Sequence, residues 1–260
     1  MSRSLQFRHC VHRGSSDGDV SSIVAAIRGD VCAPRPLPRA VDAVIVFRNV
    51  AHVIGPHRLA ELWQVHRQEG RAEARDPRAF ASFLAGEEVG RIYPALPDLA
   101  RLDLGLFLAG MEDREPSIGA CCLPADLIAG HPDLMLRLQP SFRYLSLIYP
   151  IHAWTPNGSE IPNAPAERPV LLRLAPDRLS AAGVVSRETL TPSRFAFECA
   201  LARGHSFVAA TKLARLQDPT FDGLAGIAAL IDDGAIADVI LHTNVSKLPK
   251  GDSYDNADAN

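Results

Sequence analysis

Three histidines, His52, His57 and His66, lie close together around a Gly55-Pro56 break. Two or three imidazoles with a carboxylate make a non-haem iron site. Glu61 is the one acid that accompanies them at helical spacing. That is a thin ligand set, and surface histidines at an interface explain the cluster better. An enzyme built on this cluster stays as a minor alternative. His9, Cys10 and His12 fall in a polar terminus, where a flexible tail outweighs a metal site. Cys121 and Cys122 are adjacent, and they read as small apolar residues near a helix start rather than as a redox pair. His152, among aromatics, reads as a buried, hydrogen-bonded histidine. The chain shows no CxxC, HExxH, Walker loop, GxGxxG or Ser-His-Asp arrangement. The residues with chemical potential therefore point away from catalysis by this chain.

The elements that would position them fall into two groups. Residues 1–19 read as a flexible N-terminus, 20–131 as a helical domain, 132–243 as a winged-helix-like domain and 244–260 as a disordered tail. The expected fold class is α+β. In the first group, periodicity predicts a short helix over Asp19–Arg28 and an extended CAPRPLPRA connection. Helical spacing follows over Val41–Trp63, broken at Gly55-Pro56. Further helices are expected over Pro77–Leu84, Asp98–Gly110 and Leu123–Ile128, with Pro97 and Asp98 in the first turn of the second. In the second group, Leu134–Leu138 alternates as a strand. Tyr144–Trp154 is apolar and interrupted at Pro150; its aromatics read mainly as core. A loop is expected over 155–169, and strands over Val170–Leu174, Ala181–Ser186 and Ile236–Leu241. Three helices lie between the last two strands. Thr191 caps the first and Gly204 ends it; Ser206 caps the second; the third runs over Phe221–Asp232.

Composition limits the partners. The chain has 260 residues, 47% of them hydrophobic, and a net charge of −3. A field of that size does not steer nucleic acid or an anionic membrane. No apolar run approaches the roughly 18 residues of a membrane span, and the N-terminal MSRSLQFRHCVHRGSSDGD, without an uninterrupted apolar stretch, is not expected to be a secretory signal. The five cysteines are odd in number and lack framework spacing, which suits reduced thiols in a cytoplasmic protein.

A winged helix invites a DNA-binding regulator as the alternative reading. Between Thr191 and Thr243, however, Arg194, Arg203, Lys212 and Arg215 are outnumbered by Glu198, Asp218, Asp222, Asp232, Asp233 and Asp238. The third helix, FDGLAGIAALIDDG, has no basic residue to meet phosphates and no Asn or Gln to read adenine. Its spacing places Leu224, Ile227, Ala228 and Ile231 inward and leaves Ala225, Gly226 and Ala229 as a small outer face. An extended peptide could add a strand at Ala182, Gly183, Val184, Val185 and Ser186 and lie against Asp222, Ala225 and Ala229. The competing explanation is that alanine is simply a good helix former.

Four segments resemble the HvfC/BufC-like partner-protein family. YPALPDLARLDLGLFLAG (93–110) is similar to that family's Leu-rich PDLARLE helix, and LMLRLQPSFRYLSLIYPIHAWTPN (134–157) to its LRLHPSLRLLRSRWPVLALW stretch. VIVFRNVAHVIGPHRLAEL (44–62) resembles its VYRNNV segment, and RPVLLRLAP (168–176) with the three helices matches its C-terminal order. The charged stretch Gln64–Arg78 is shorter than the family's corresponding section. The resemblance implies a non-catalytic subunit, of the kind found in thiaglutamate-type pathways. It would hold the leader of a ribosomally made precursor peptide while its helical domain packs on an iron-dependent TIM-barrel oxidative enzyme. The peptide's cysteine is then modified there. The iron would sit in the partner enzyme, with no cofactor or metal in this chain, and neither nucleic acid nor membrane is implied as a partner.

Overall fold

A computed structural model describes residues 42–68, 77–112, 115–119, 128, 130–131, 133–156, 160–177 and 184–240. The expected helix over Asp19–Arg28, the CAPRPLPRA connection, most of Leu123–Ile128, Cys121-Cys122 and both termini lie outside these residues.

The fold is α+β. Among the described residues six helices come first: α1 (Ala43–Val46), α2 (Arg48–Ile54), α3 (Pro56–Gln68), α4 (Pro77–Gly86), α5 (Glu88–Ile92) and α6 (Leu96–Met111). Gly55, at φ +86°, ends α2 where the sequence places a break. A second break falls at Phe47, which is fully buried against Phe80 and Trp63 with ring centroids at 4.9 and 5.7 Å. Phe47 offers α2 no side-chain cap. Asp103, from the middle of α6, supplies it instead, accepting from the N–H groups of Asn49 (2.8 Å) and Val50 (3.0 Å). Burial pushes the Asp103 carboxyl up to about 6, against the pull of those donors. Asp98, one turn and a half earlier on the same helix, accepts from the N–H groups of Ile148 (2.5 Å) and Tyr149 (2.9 Å). Both carboxylates are buried in a helix that is apolar apart from them and Arg101, and each ties it to a segment about 50 residues away in sequence.

The second half holds β1 (Met135–Leu138), β2 (Arg143–Leu147), a 3-10 turn (Ile151–Ala153), β3 (Val170–Pro176), β4 (Val185–Thr189), α7 (Pro192–Ala202), α8 (Phe207–Arg215), α9 (Gly223–Asp232) and β5 (Ile236–Ile240). Leu134, Leu136 and Leu138 are all buried, as their alternation predicts. Thr191 and Ser206 cap α7 and α8 as expected, accepting from Arg194 N and Ala209 N. Gly204, at φ +81°, turns the chain between them. β1 pairs antiparallel with β5, and Met135 forms a single bridge with Ser206. β2, β3 and β4 form a separate antiparallel sheet in that order.

That sheet contributes to two cores. Leu145, Leu147, Leu172 and Leu174 pack with the first six helices, while Tyr144 packs with α7, α8, α9 and β5. The sequence places a domain boundary at residues 131/132, yet β2 and β3, beyond it, complete the core of the helices before it. No helix among the described residues is long and apolar enough to cross a membrane.

Candidate peptide-binding groove

The strand candidate Ala181–Ser186 overlaps the observed strand, Val185–Thr189, only at Val185 and Ser186, and Val184 precedes it. β4 carries Ser186, Arg187, Glu188 and Thr189, of which Glu188 is half-buried and the other three are exposed. An edge strand need not be apolar, which is why its polar half went unread. Ala182 and Gly183 lie outside the described residues. Val184 is exposed and precedes the strand; Val185 and Ser186 begin it.

The register sets what β4 offers. Asp177 N–H donates to the Val184 carbonyl (2.7 Å), and Leu190 N–H to the Leu171 carbonyl (2.8 Å). With Arg173 opposite Glu188 and Ala175 opposite Ser186, the antiparallel alternation turns Ser186 and Glu188 inward to β3. It turns the N–H and C=O groups of Val185, Arg187 and Thr189 outward. Among the described residues no strand pairs with that outer edge.

On one face of the sheet a buried ion network joins β4 to the helices. Arg173, on β3 and nearly fully buried, bonds to Glu188 of β4, to Asp233 at the end of α9 (2.6 Å) and to Glu198 of α7 (3.4 Å). Arg194 repeats the set, reaching Glu198 (2.7 Å), Glu188 (2.9 Å) and Asp233 (3.3 Å). Burial raises the Glu198 carboxyl, with both arginines opposing it. Burial works against the Arg173 charge, yet Glu198 and Asp233 outweigh it and raise its pKa. The buried Tyr144 phenol of β2 lies beside the network and is raised well above its usual value by burial and then by the charge of Glu198. Arg194 and Glu198 are an i,i+4 pair within α7, but nothing local in the sequence pairs them with Arg173, Glu188 or Asp233. The further signals were charged residues inside two apolar runs, Arg173 in VLLRLAP and the Arg194–Glu198 pair in RFAFECALA.

The strand and α9 are therefore linked through Glu188 and Asp233. Asp222 is at the other end of α9, where its carboxylate caps the helix by accepting from Leu224 N–H (2.9 Å). At ~1.5 Å per residue that end is about 15 Å from the network. Ala225 is exposed, Ala229 is half-buried, and Leu224 is 42% exposed. The expected phase of the helix is overturned at Leu224, Ala228 and Gly226, since Ala228 is exposed as well. Leu224 faces out, and the buried row is Gly223, Ile227 and Leu230. A Cβ on Gly226 would stand 2.9 Å from Phe197 Cε1 and 3.2 Å from Phe221 Cζ. The glycines allow α9 to sit close on its neighbours, which an apolar count does not register. Gly226→Ala is accordingly expected to destabilise the protein by about 2 kcal/mol, although alanine is the better helix former. Ala225→Ser should shift stability by less than about 0.5 kcal/mol. Thermal melts of the two variants separate the inward from the outward assignment.

The histidines go separate ways. His66 is buried among Trp63, Phe80 and Phe83. His57 is exposed and 3.3 Å from Glu61. His52 stacks edge-on with Trp154 at 6.3 Å. His152 is half-buried, and its carbonyl, rather than its ring, accepts from Arg187 Nη1 (3.2 Å). No group of three or more His, Cys, Asp or Glu that could hold a metal occurs among the described residues. No protein-family model matches the chain, and no curated protein matches it.

Proposed function

We propose that this chain is a non-catalytic, cytoplasmic partner subunit of the HvfC/BufC type. It binds the leader of a ribosomally synthesised precursor peptide and presents the peptide's cysteine to a separate iron-dependent TIM-barrel oxidative enzyme. One observation carries the proposal: the outer edge of β4 offers three residues' backbone groups, and the ion network fixes that strand to α9, which exposes the small residues Ala225 and Ala228 beside Leu224. Main-chain bonds to a docked strand supply affinity, and alternate side chains supply specificity. The DNA-binding reading has less support, because α9 has no lysine or arginine and is bounded by Asp222 and Asp233.

Proline at Val185 or Thr189 removes an outward N–H without touching the bonds from Ser186 and Glu188 to β3, and proline is tolerated on an edge strand. Each substitution is expected to weaken binding of the precursor peptide encoded beside the oxidase gene about tenfold. Calorimetric titration of the full chain reads this, with circular dichroism showing an unchanged fold. Undiminished affinity in both variants would remove β4 as the docking edge.

A further inference from the structure

Arg187 occupies the middle of the free edge of β4, with its backbone outward. Its side chain is on the sheet face away from the ion network, where it donates to the His152 carbonyl. The other strand arginines are all paired: Arg137 with Glu115, Arg143 with Glu112, and Arg173 with Glu188 and Asp233. No carboxylate among the described residues lies within ion-pair distance of Arg187. Burial pushes its pKa below the usual value, and the field of Asp103 only partly opposes this. A partly desolvated guanidinium with most of its donors unused is completed by a carboxylate, which it can meet with two parallel bonds.

Resting on the peptide-binding reading above, we propose that Arg187 pairs with an aspartate or glutamate of an extended peptide docked on β4, and that this pair fixes the peptide's register. Residues directly opposite across a strand pair face the same side, with Cβ atoms about 5 Å apart. The peptide residue opposite Arg187 therefore points its side chain to the Arg187 face. A slip of one residue turns every side chain to the other face. There the acid would meet Glu188 and Asp233, 41% and 38% exposed, in a network whose three carboxylates outnumber its two guanidinium groups. The two faces of β4 thus discriminate in the same sense: one attracts the acid in register, and the other repels it out of register.

A displayed library of random 12-residue peptides, selected against the full chain, tests this. The wild-type protein is expected to enrich peptides with Asp or Glu at one fixed position. Arg187→Glu should exchange that preference for Lys or Arg, and Arg187→Gln should lose it without gaining the opposite one. With one enriched peptide resynthesised, Glu→Gln should weaken wild-type binding about tenfold, and Glu→Lys should restore binding to R187E. An unchanged consensus in both Arg187 variants would overturn this inference and leave peptide binding standing. Enrichment of nothing by the wild-type chain would overturn peptide binding and this inference with it.

Discussion

Glu198→Ala is expected to cost about 3–5 kcal/mol of stability, because it removes one member of a buried ion network and leaves its partners without compensation. Glu198 is 1% exposed and holds both Arg194 (2.7 Å) and Arg173 (3.4 Å). Without it, the guanidinium of Arg173, itself only 5% exposed, keeps Glu188 and Asp233, which lie near the surface and are weakened by solvent. For a chain of this length the loss corresponds to a fall of about 10 °C in melting temperature. Glu198→Gln keeps the volume and one acceptor, so its melting point should lie between alanine and wild type. A calorimetric scan in which E198A melts with the wild type would mean that the network is not the joint between sheet and helices. The same variant should weaken peptide binding, because Glu188 and Asp233 are held together only through the two arginines that Glu198 anchors.

What was readable in advance depended on whether the determinant was local. The caps at Thr191 and Ser206 and the turn at Gly204 are short-range signals, and the structure places α7 and α8 accordingly. The period of α6 was also legible. The roles of its two acids were not, since Asp98 serves a turn after β2 and Asp103 the start of α2. The ion network lies further still from local pattern: Arg173 and Asp233 are 60 residues apart. β4 was misplaced toward its apolar flank because an edge strand with one face on a charged network carries Arg and Glu by design of its surroundings. In α9 the spacing of Leu224, Ile227, Ala228 and Ile231 fits a buried stripe. The helix instead turns its glycines inward, where its backbone approaches Phe197 and Thr211 closely. Periodicity counts side chains, and that contact is made by their absence.

Expressed alone, residues 132–243 are expected not to reach a native fold, although the sequence reads them as a domain. Leu145, Leu147, Ile151, Trp154, Leu172 and Leu174 from this segment are buried in the core that the first six helices build. At ~1.5–3 kcal/mol for each large apolar side chain returned to water, the fragment gives up roughly 9–18 kcal/mol. That is the whole of a typical domain's stability. It also loses the contact of Asp98 with the turn after β2 and the pairing of Glu112 with Arg143. Broad, poorly dispersed amide resonances and early elution on size exclusion are the expected results. A well-dispersed spectrum from the isolated fragment would show that the sheet needs only its C-terminal face covered. The difference bears on mechanism. If β2, β3 and β4 require α6 beneath them, a peptide docking on the edge of β4 pulls on the same sheet that supports the helical half. Peptide binding and enzyme docking would then be coupled through one rigid layer rather than through a linker.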